Sequence, residues 1–302
     1  MTQRARRAQT PAGAPAQAGP AQDSQAQGSQ AAGDVWAVIP ARFSSTRFPG
    51  KPLVPIAGRP MIQHVYERTA RTPSVARVLV ATDDARIAAA VRAFGGEAVM
   101  TGDAATGTDR IAEAVRIESE RGPGPGWVLN VQGDEPLIDR DDLERLVSGL
   151  LATPEGVMGT LVHPLINDEE LHDPNVVKAV VAADSRALYF SRAPIPYPRS
   201  IAGASASGSS ALGYATIGWR HLGVYLYRAD FLHTFHRLPP TPLSEREQLE
   251  QLRALEHGYP IHCFLARALG YGVDVPADVA REEAWLDAHG GPATASPEGE
   301  TP

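Results

Sequence analysis

Apolar positions along the chain fall into two alternating rhythms. Short unbroken runs at 35–39, 77–81, 97–100 and 127–131 read as buried strands, each bounded by polar, Gly or Pro residues. Between them lie stretches of helical spacing at 61–70, 85–94, 109–121 and 139–151. In the first of these Met61, Ile62, Val65 and Tyr66 share a face, and Gly95-Gly96 closes the second. Strands apolar on both faces and alternating with helices predict an α/β fold: a mainly parallel central sheet covered by helices. The second half is less regular. Strands are expected at 157–162, 176–182, 187–190 and 221–227, a helix at 243–257, and a last helix at 279–289. The Gly/Ser/Ala-rich stretch 200–218 reads as a mobile loop.

The ends do not share this patterning. Residues 1–33 are rich in Ala, Gln, Gly, Pro and Ser and lack an apolar middle section, which predicts a disordered tail and no signal peptide. Residues 290–302 read as a second tail, leaving one working domain at 34–289. A net charge of −7 argues against a general nucleic-acid or anionic-membrane surface, so an anionic ligand has to be drawn by a local cluster. No apolar run approaches the roughly 20 residues of a membrane span. The single cysteine, Cys263, excludes an intrachain disulfide and lies in an apolar run, where a buried structural thiol is expected.

Candidate chemistry collects after the predicted strands, where open parallel sheets bind their ligands. Three polar clusters fall there: Arg42–Lys51, Thr82–Asp84 and Gln132–Glu135. Each taken singly could also be a turn with a helix cap. The first, in VIPARFSSTRFPGKPL, sets arginines, hydroxyls and a lysine on a loop suited to a polyphosphate. The chain holds 28 Lys and Arg together, yet only Lys51 and Lys178 are lysines. A lysine kept in that loop suggests a need for a compact ammonium. Asp134, on a turn behind Gly133, suits a hard cation such as Mg²⁺. Asp274 is a candidate second carboxylate or an Asx cap for the last helix, a task that fits Asp278 better. Alternation puts His221, Gly223 and Tyr225 on one strand face, a wall for a polar ligand or a partly exposed face. Glu247, Glu250 and Gln251 share a helical turn, where solvated charge is the default.

The ordered series VIPARFSSTRFPGKPL, ATDD, TGTDR, VQGDEP, YFSRAPIP, RHLGVY, EQLEQLR and GVDVPAD, spread over about 35–284, resembles the 3-deoxy-manno-octulosonate cytidylyltransferases, the CMP-Kdo synthetases. The R-x-x-S-T-R-x-P-G-K-P block is shared more loosely with CMP-sialic acid synthetases. The resemblance implies a Rossmann-like nucleotidyltransferase fold with a smaller dimerisation lobe. It implies transfer of CMP from CTP to Kdo with release of diphosphate, Mg²⁺ dependence, a role in lipopolysaccharide biosynthesis, a cytoplasmic setting and a homodimer. By the same resemblance, Lys51, Arg42, Asp134 and Asp274 are catalytic, and Asp134 and Asp274 bind metal. Ala41, Arg42, Arg47, Lys51, Asp83, Gly107, Thr108, Arg110 and Gln132 fall on the nucleotide side. Arg192, His221, Tyr225, Glu247 and Gln251 fall on the sugar side. The chain departs from the family pattern at Asp109, where glutamate is usual, and at Ser244, where an acidic residue is common. Three other readings are a sialic acid cytidylyltransferase, a catalytically silent nucleotide-binding regulator, and a glycosyltransferase. The last usually carries a D-x-D pair, which Gln132-Gly133-Asp134 lacks.

Overall fold

The computed structural model describes residues 35–44, 48–197, 218–270 and 272–289. The two expected tails, Arg47 and all of the expected 200–218 loop except Gly218 lie outside the described residues.

The chain opens with β1 (Val35–Ala41), a 3-10 turn at Lys51–Leu53 and a small hairpin, β2 (Pro55–Ile56) and β3 (Arg59–Pro60). There follow α1 (Met61–Ala70), β4 (Val75–Thr82), α2 (Ala85–Ala93), β5 (Glu97–Met100), α3 (Gly107–Ser119), β6 (Trp127–Asn130) and α4 (Arg140–Leu151). The second half runs β7 (Met158–Pro164), α5 (Asp168–His172), β8 (Lys178–Val181), β9 (Ala187–Ser191), β10 (Trp219–Arg228), α6 (Ala229–Phe235), α7 (Pro242–Glu247), α8 (Leu252–Glu256), β11 (His262–Leu265) and α9 (Pro276–His289).

The main sheet follows the order β11-β7-β10-β6-β1-β4-β5, with β8 beside β10 and β9 beside β8. Strands β6, β1, β4 and β5 are parallel, as the apolar runs predict. The sheet is nevertheless mixed, because β10 runs antiparallel to β6, β7 and β8. Helices cover both faces. Ile62, Val65, Ile87, Val91, Leu143 and Leu146 pack on one side, and Ile111, Val115, Phe231, Phe235 and Leu252 on the other. Each such fully buried side chain contributes roughly 1.5–3 kcal/mol.

Two departures from the expected elements position the site. Strand β1 continues past the expected stop at Pro40. The Val38 carbonyl accepts from Val131 on the β6 side, so Pro40, two residues on, also turns its nitrogen that way. The β1–β6 pairing has ended by Val38, so the missing N–H removes no ladder bond. The expected helix at 243–257 is split. Gln248 adopts a left-handed conformation (φ 53°) between α7 and α8. The Arg192 guanidinium takes the Glu247 carbonyl (2.8 Å) and the Gln248 carbonyl (3.4 Å), acceptors that a continuous helix would use itself. Strand β11 and helices α5 and α6 were not anticipated; β11 carries Cys263, which is buried with its thiol pushed up to about 12 by burial.

Candidate active site

A cleft of about 450 Å³ opens at the carboxyl ends of β1 and β6. It is lined by Ala41, Arg42, Lys51, Gln132, Gly133, Asp134 and Asp274, with Ser44 and Met61 among the remaining walls. Six of the residues singled out in the sequence thus meet in one place, although Asp274 comes from the far end of the chain. Backbone pairing brings it there: Val273 N–H donates to the Asp134 carbonyl at 2.9 Å. Val273 and Leu286 pack with Ile56 and Met61, which ties α9 to the Lys51 region. The cap alternative for Asp274 is taken by Asp278, whose carboxylate accepts from the backbone of Asp274 (2.8 Å) and Val275 (2.9 Å).

At the centre, Lys51 Nζ donates to Asp134 Oδ2 at 2.7 Å and to Asp274 Oδ1 at 3.3 Å. The ammonium is mostly enclosed, with its side chain 12% exposed, and the two carboxylates open to solvent at 37% and 52%. Gly133 allows the turn to approach this closely. A Cβ there would stand 3.0 Å from the Pro40 carbonyl oxygen, tighter than nearly all real contacts. The neighbouring Glu135 has its carboxyl pushed up to about 7, first by burial and then by the Asp134 charge. Its neighbour Arg220 and Lys51 oppose the shift. Arg42 Nη2 reaches the Ala105 carbonyl at 3.4 Å across the cleft mouth.

The other nucleotide-side candidates stand at the next strand ends. Gly107 abuts β1; a Cβ on it would lie 3.6 Å from Pro40 Cγ. Arg110 is fully buried and pairs with Asp83 (2.7 Å) while donating to Thr101 Oγ1 (2.6 Å) and the Gly102 carbonyl (3.3 Å). It therefore holds together the loops that follow β4 and β5. In the same Thr82–Asp84 cluster, Asp84 is a helix cap that accepts from Arg86 N–H at 2.9 Å. Asp109 forms a capping box with Thr106, so the shorter acid still closes the α3 start.

Among the residues expected on the sugar side, the His221 and Tyr225 rings meet at 5.4 Å, and Phe190 touches His221 at 5.0 Å. His221 Nε2 lies 3.0 Å from Thr160 Oγ1, and burial drives its imidazole down to about 3, so it is neutral at pH 7. Gly223 between them faces the cleft block; a Cβ there would stand 3.7 Å from Gln132 Cγ and 3.9 Å from Glu135 Oε1. Arg192 and Glu247 clasp each other. The Glu247 carboxylate accepts from Ser191 Oγ (2.6 Å) and Arg192 N–H (2.9 Å), and Arg192 also donates to the Pro174 carbonyl (2.9 Å). Although burial alone would raise the Glu247 pKa, these donors hold it below its ordinary value. Gln251 is buried beside this turn. Lys178, the second lysine, is fully buried and donates to the carbonyls of Asp173 (2.8 Å) and Val176 (2.6 Å). It anchors the turn that also receives Arg192. Sequence reasoning gave no roles to Glu135, Ser44, Thr106 or Asn130. Signals were there for three of them: Glu135 in the acidic run after β6, Ser44 among the hydroxyls of the first loop, and Thr106 three residues before Asp109.

A mixed sheet whose cleft strands are parallel, with a lysine, an arginine and two carboxylates at the strand ends, fits a nucleotide-binding site of the nucleotidyltransferase kind. The comparisons sharpen that class. The family model described as cytidylyltransferase matches residues 36–261. A 3-deoxy-manno-octulosonate cytidylyltransferase of Syntrophotalea carbinolica is 53% identical over 255 residues, covering 83% of this chain and 98% of its own length. One of Myxococcus xanthus is 50% identical over 256 residues, covering 84% and 97%. A solved CMP:2-keto-3-deoxy-manno-octonic acid synthetase complexed with CTP superposes with a TM-score of 0.75 at 42% identity, covering 85% of this chain and 99% of that one. The 4-diphosphocytidyl-2C-methyl-D-erythritol synthase of Anaerococcus prevotii, 10% identical with a TM-score of 0.56, shares the fold. The chain belongs to the 3-deoxy-manno-octulosonate cytidylyltransferase family.

Proposed function

We propose that this protein transfers CMP from CTP to 3-deoxy-D-manno-octulosonate (Kdo), releasing diphosphate. The observation that carries this reading is the convergence of Arg42, Lys51, Gln132, Asp134 and Asp274 on one cleft, in a chain at least half identical to enzymes so named. In the reaction the anomeric hydroxyl of Kdo attacks the α-phosphorus of CTP in line, and diphosphate departs on the opposite side. The protein contributes mainly position and charge neutralisation. Lys51 and Arg42 bind the phosphate oxygens and balance charge on the leaving diphosphate. Ala41, Asp83, Gly107, Thr108, Arg110 and Gln132 shape the CTP side. Arg192, His221, Tyr225, Glu247 and Gln251 shape the sugar side. Since Arg192 and Glu247 are already joined, their part is to fix the wall as much as to touch the sugar.

The donor set fits Mg²⁺. Asp134 and Asp274 present hard oxygen ligands already drawn together around one cation, the Lys51 ammonium. Among the described residues no third His, Cys, Asp or Glu completes a cage. That suits an ion usually held by one or two carboxylates plus substrate phosphates. When bound, Mg²⁺ would neutralise phosphate charge and lower the pKa of the attacking hydroxyl. A role in lipopolysaccharide biosynthesis, a cytoplasmic setting and a homodimer belong to the same proposal and follow from the family resemblance. Among the described residues no helix is long and apolar enough to cross a membrane. The deciding experiment measures diphosphate release with CTP, UTP and ATP against Kdo and sialic acid. Release with CTP and Kdo alone is expected. Turnover with sialic acid but not Kdo overturns the substrate, and CTP binding without any release supports the silent regulator.

A further inference from the structure

Helical spacing makes Glu250 a solvated charge, but the broken helix turns it inward. Its carboxylate accepts from Thr108 Oγ1 at 2.9 Å and Thr106 Oγ1 at 3.3 Å, and pairs with Arg253. Thr106 is the cap of α3 and Thr108 lies in its first turn, so Glu250 grips the start of that helix. Beyond Thr108 the contacts continue. The buried Tyr227 hydroxyl meets the side chains of Thr108 and Asn130, and Asn130 Oδ1 accepts from Gln132 Nε2 at 3.0 Å. Polar groups thus run from Glu250 beneath the sheet end to the Gln132–Asp134 turn.

Three residues earlier, Glu247 grips the other side of the site through Ser191 and Arg192. The left-handed Gln248 between them lets the two carboxylates reach different elements. Arg253 fixes the far end of the span, donating to the Leu238 carbonyl (3.0 Å) and lying over the Phe235 ring (4.9 Å). The span between the two carboxylates is short and tethered at each end, and Arg192 holds the Glu247 and Gln248 carbonyls within it.

We propose that Glu250 is a positioning residue that couples the CTP side to the Kdo side, so that each substrate meets a wall set by the other. The proposal rests on the reading of 106–110 as the nucleotide side and of 191–192 as the sugar side. Neither substrate touches Glu250 in this scheme. Its effect passes through Thr106 and Thr108 in one direction and through Glu247 and Arg192 in the other.

The test is steady-state kinetics of the Mg²⁺-supplied enzyme with CTP and Kdo varied independently. In Glu250→Ala the KM values for both substrates should rise at least about five-fold, the low end of typical coupling between sites, with kcat changing less. Glu250→Gln, whose amide oxygen can still accept from Thr108, should recover most of the loss. A folded Glu250→Ala enzyme with wild-type KM for both substrates, or with a rise confined to one, overturns the proposal. Should that variant fail to fold, Glu250→Asp carries the same expectation and the same overturning results. It keeps a charge near Arg253 but is one methylene short of the threonines. A wild-type protein that releases no diphosphate overturns the functional reading instead, so the two failures are told apart.

Discussion

Lys51 is the residue at which composition and geometry say the same thing. In a chain with two lysines, one is placed between the two carboxylates of the cleft. A guanidinium fork would pair with one carboxylate in a plane; an ammonium donates in three directions. On the proposed reading of Asp134 and Asp274 as metal ligands, the same ammonium competes with a divalent ion for them. Lys51→Met should therefore raise the Mn²⁺ affinity of the CTP-free protein by about ten-fold or more, read by the loss of free Mn²⁺ signal in electron paramagnetic resonance, while KM for CTP rises. Unchanged Mn²⁺ affinity would show that the lysine does not shield the carboxylates. Asp134→Asn should lower kcat by at least about two orders of magnitude, the scale of one lost electrostatic element. A folded Asp134→Asn enzyme at wild-type rate removes Asp134 from the chemistry. His221 gives a pH signature. Its folded pKa of about 3 lies below the ordinary value of 6.5, so the unfolded chain takes up a proton first as pH falls. Its contribution to stability is therefore complete above about pH 6.5 and declines towards pH 3. Urea midpoints at pH 7.5 and pH 5 should differ less in His221→Gln than in wild type; an equal difference would mean that His221 does not titrate with unfolding. Lys51, Asp134 and Asp274 were legible because each is a chemically loaded type on a turn bearing glycine or proline, whereas Glu247 and Gln251 were reached only through the family resemblance. Their pairings were not, since Arg192 with Glu247 and Lys51 with Asp274 join positions far apart in the chain.

Element boundaries show where local sequence decides and where tertiary contacts override it. The α3 start was placed two residues late, at Asp109, although the capping pair Thr106 and Asp109 was there to be read. Thr106→Ala removes the cap and one of the Glu250 donors, and should cost about 1 kcal/mol in urea unfolding. A change below a few tenths would show that the capping box does not support α3. The 243–257 helix failed for a different reason. Its spacing is helical throughout, and nothing local marks Gln248 for a left-handed turn. The break is imposed by Arg192, some 55 residues away, which takes two carbonyls of the turn. Such a break pairs with function here, because it releases Glu247, Glu250 and Gln251 from a single helical face. Gly133 lies at the opposite extreme, where one local feature fixes the geometry. Gly133→Ala forces a methyl against the Pro40 carbonyl, so activity should fall at least about ten-fold with a melting temperature within a few degrees of wild type. An active Gly133→Ala enzyme would show that the turn carrying Asp134 has slack.

At the scale of the molecule, the sheet divides into a parallel half and a mixed half, and the cleft lies at the ends of β1 and β6, beside the seam where β10 runs antiparallel to β6. The parallel half was legible because each of its strands is a local apolar run followed by its own helix. The mixed half was harder to read, because β7, β8, β10 and β11 are joined by contacts distant in sequence and share no repeating unit. In that half the sheet curls towards closure: Ala187 N–H donates to the Ile261 carbonyl (2.8 Å) and Cys263 N–H to the Ser185 carbonyl (2.7 Å), which brings β9 against β11. Closure protects the start of β9, yet Leu188 on it stays 63% exposed. An exposed leucine at a strand edge is what a homodimer proposed from the family would cover. Multi-angle light scattering should give twice the chain mass for the wild type, and Leu188→Asp should shift the protein towards monomer. A wild type that is monomeric at working concentration overturns the dimer. A dimer that withstands Leu188→Asp moves the interface to another face.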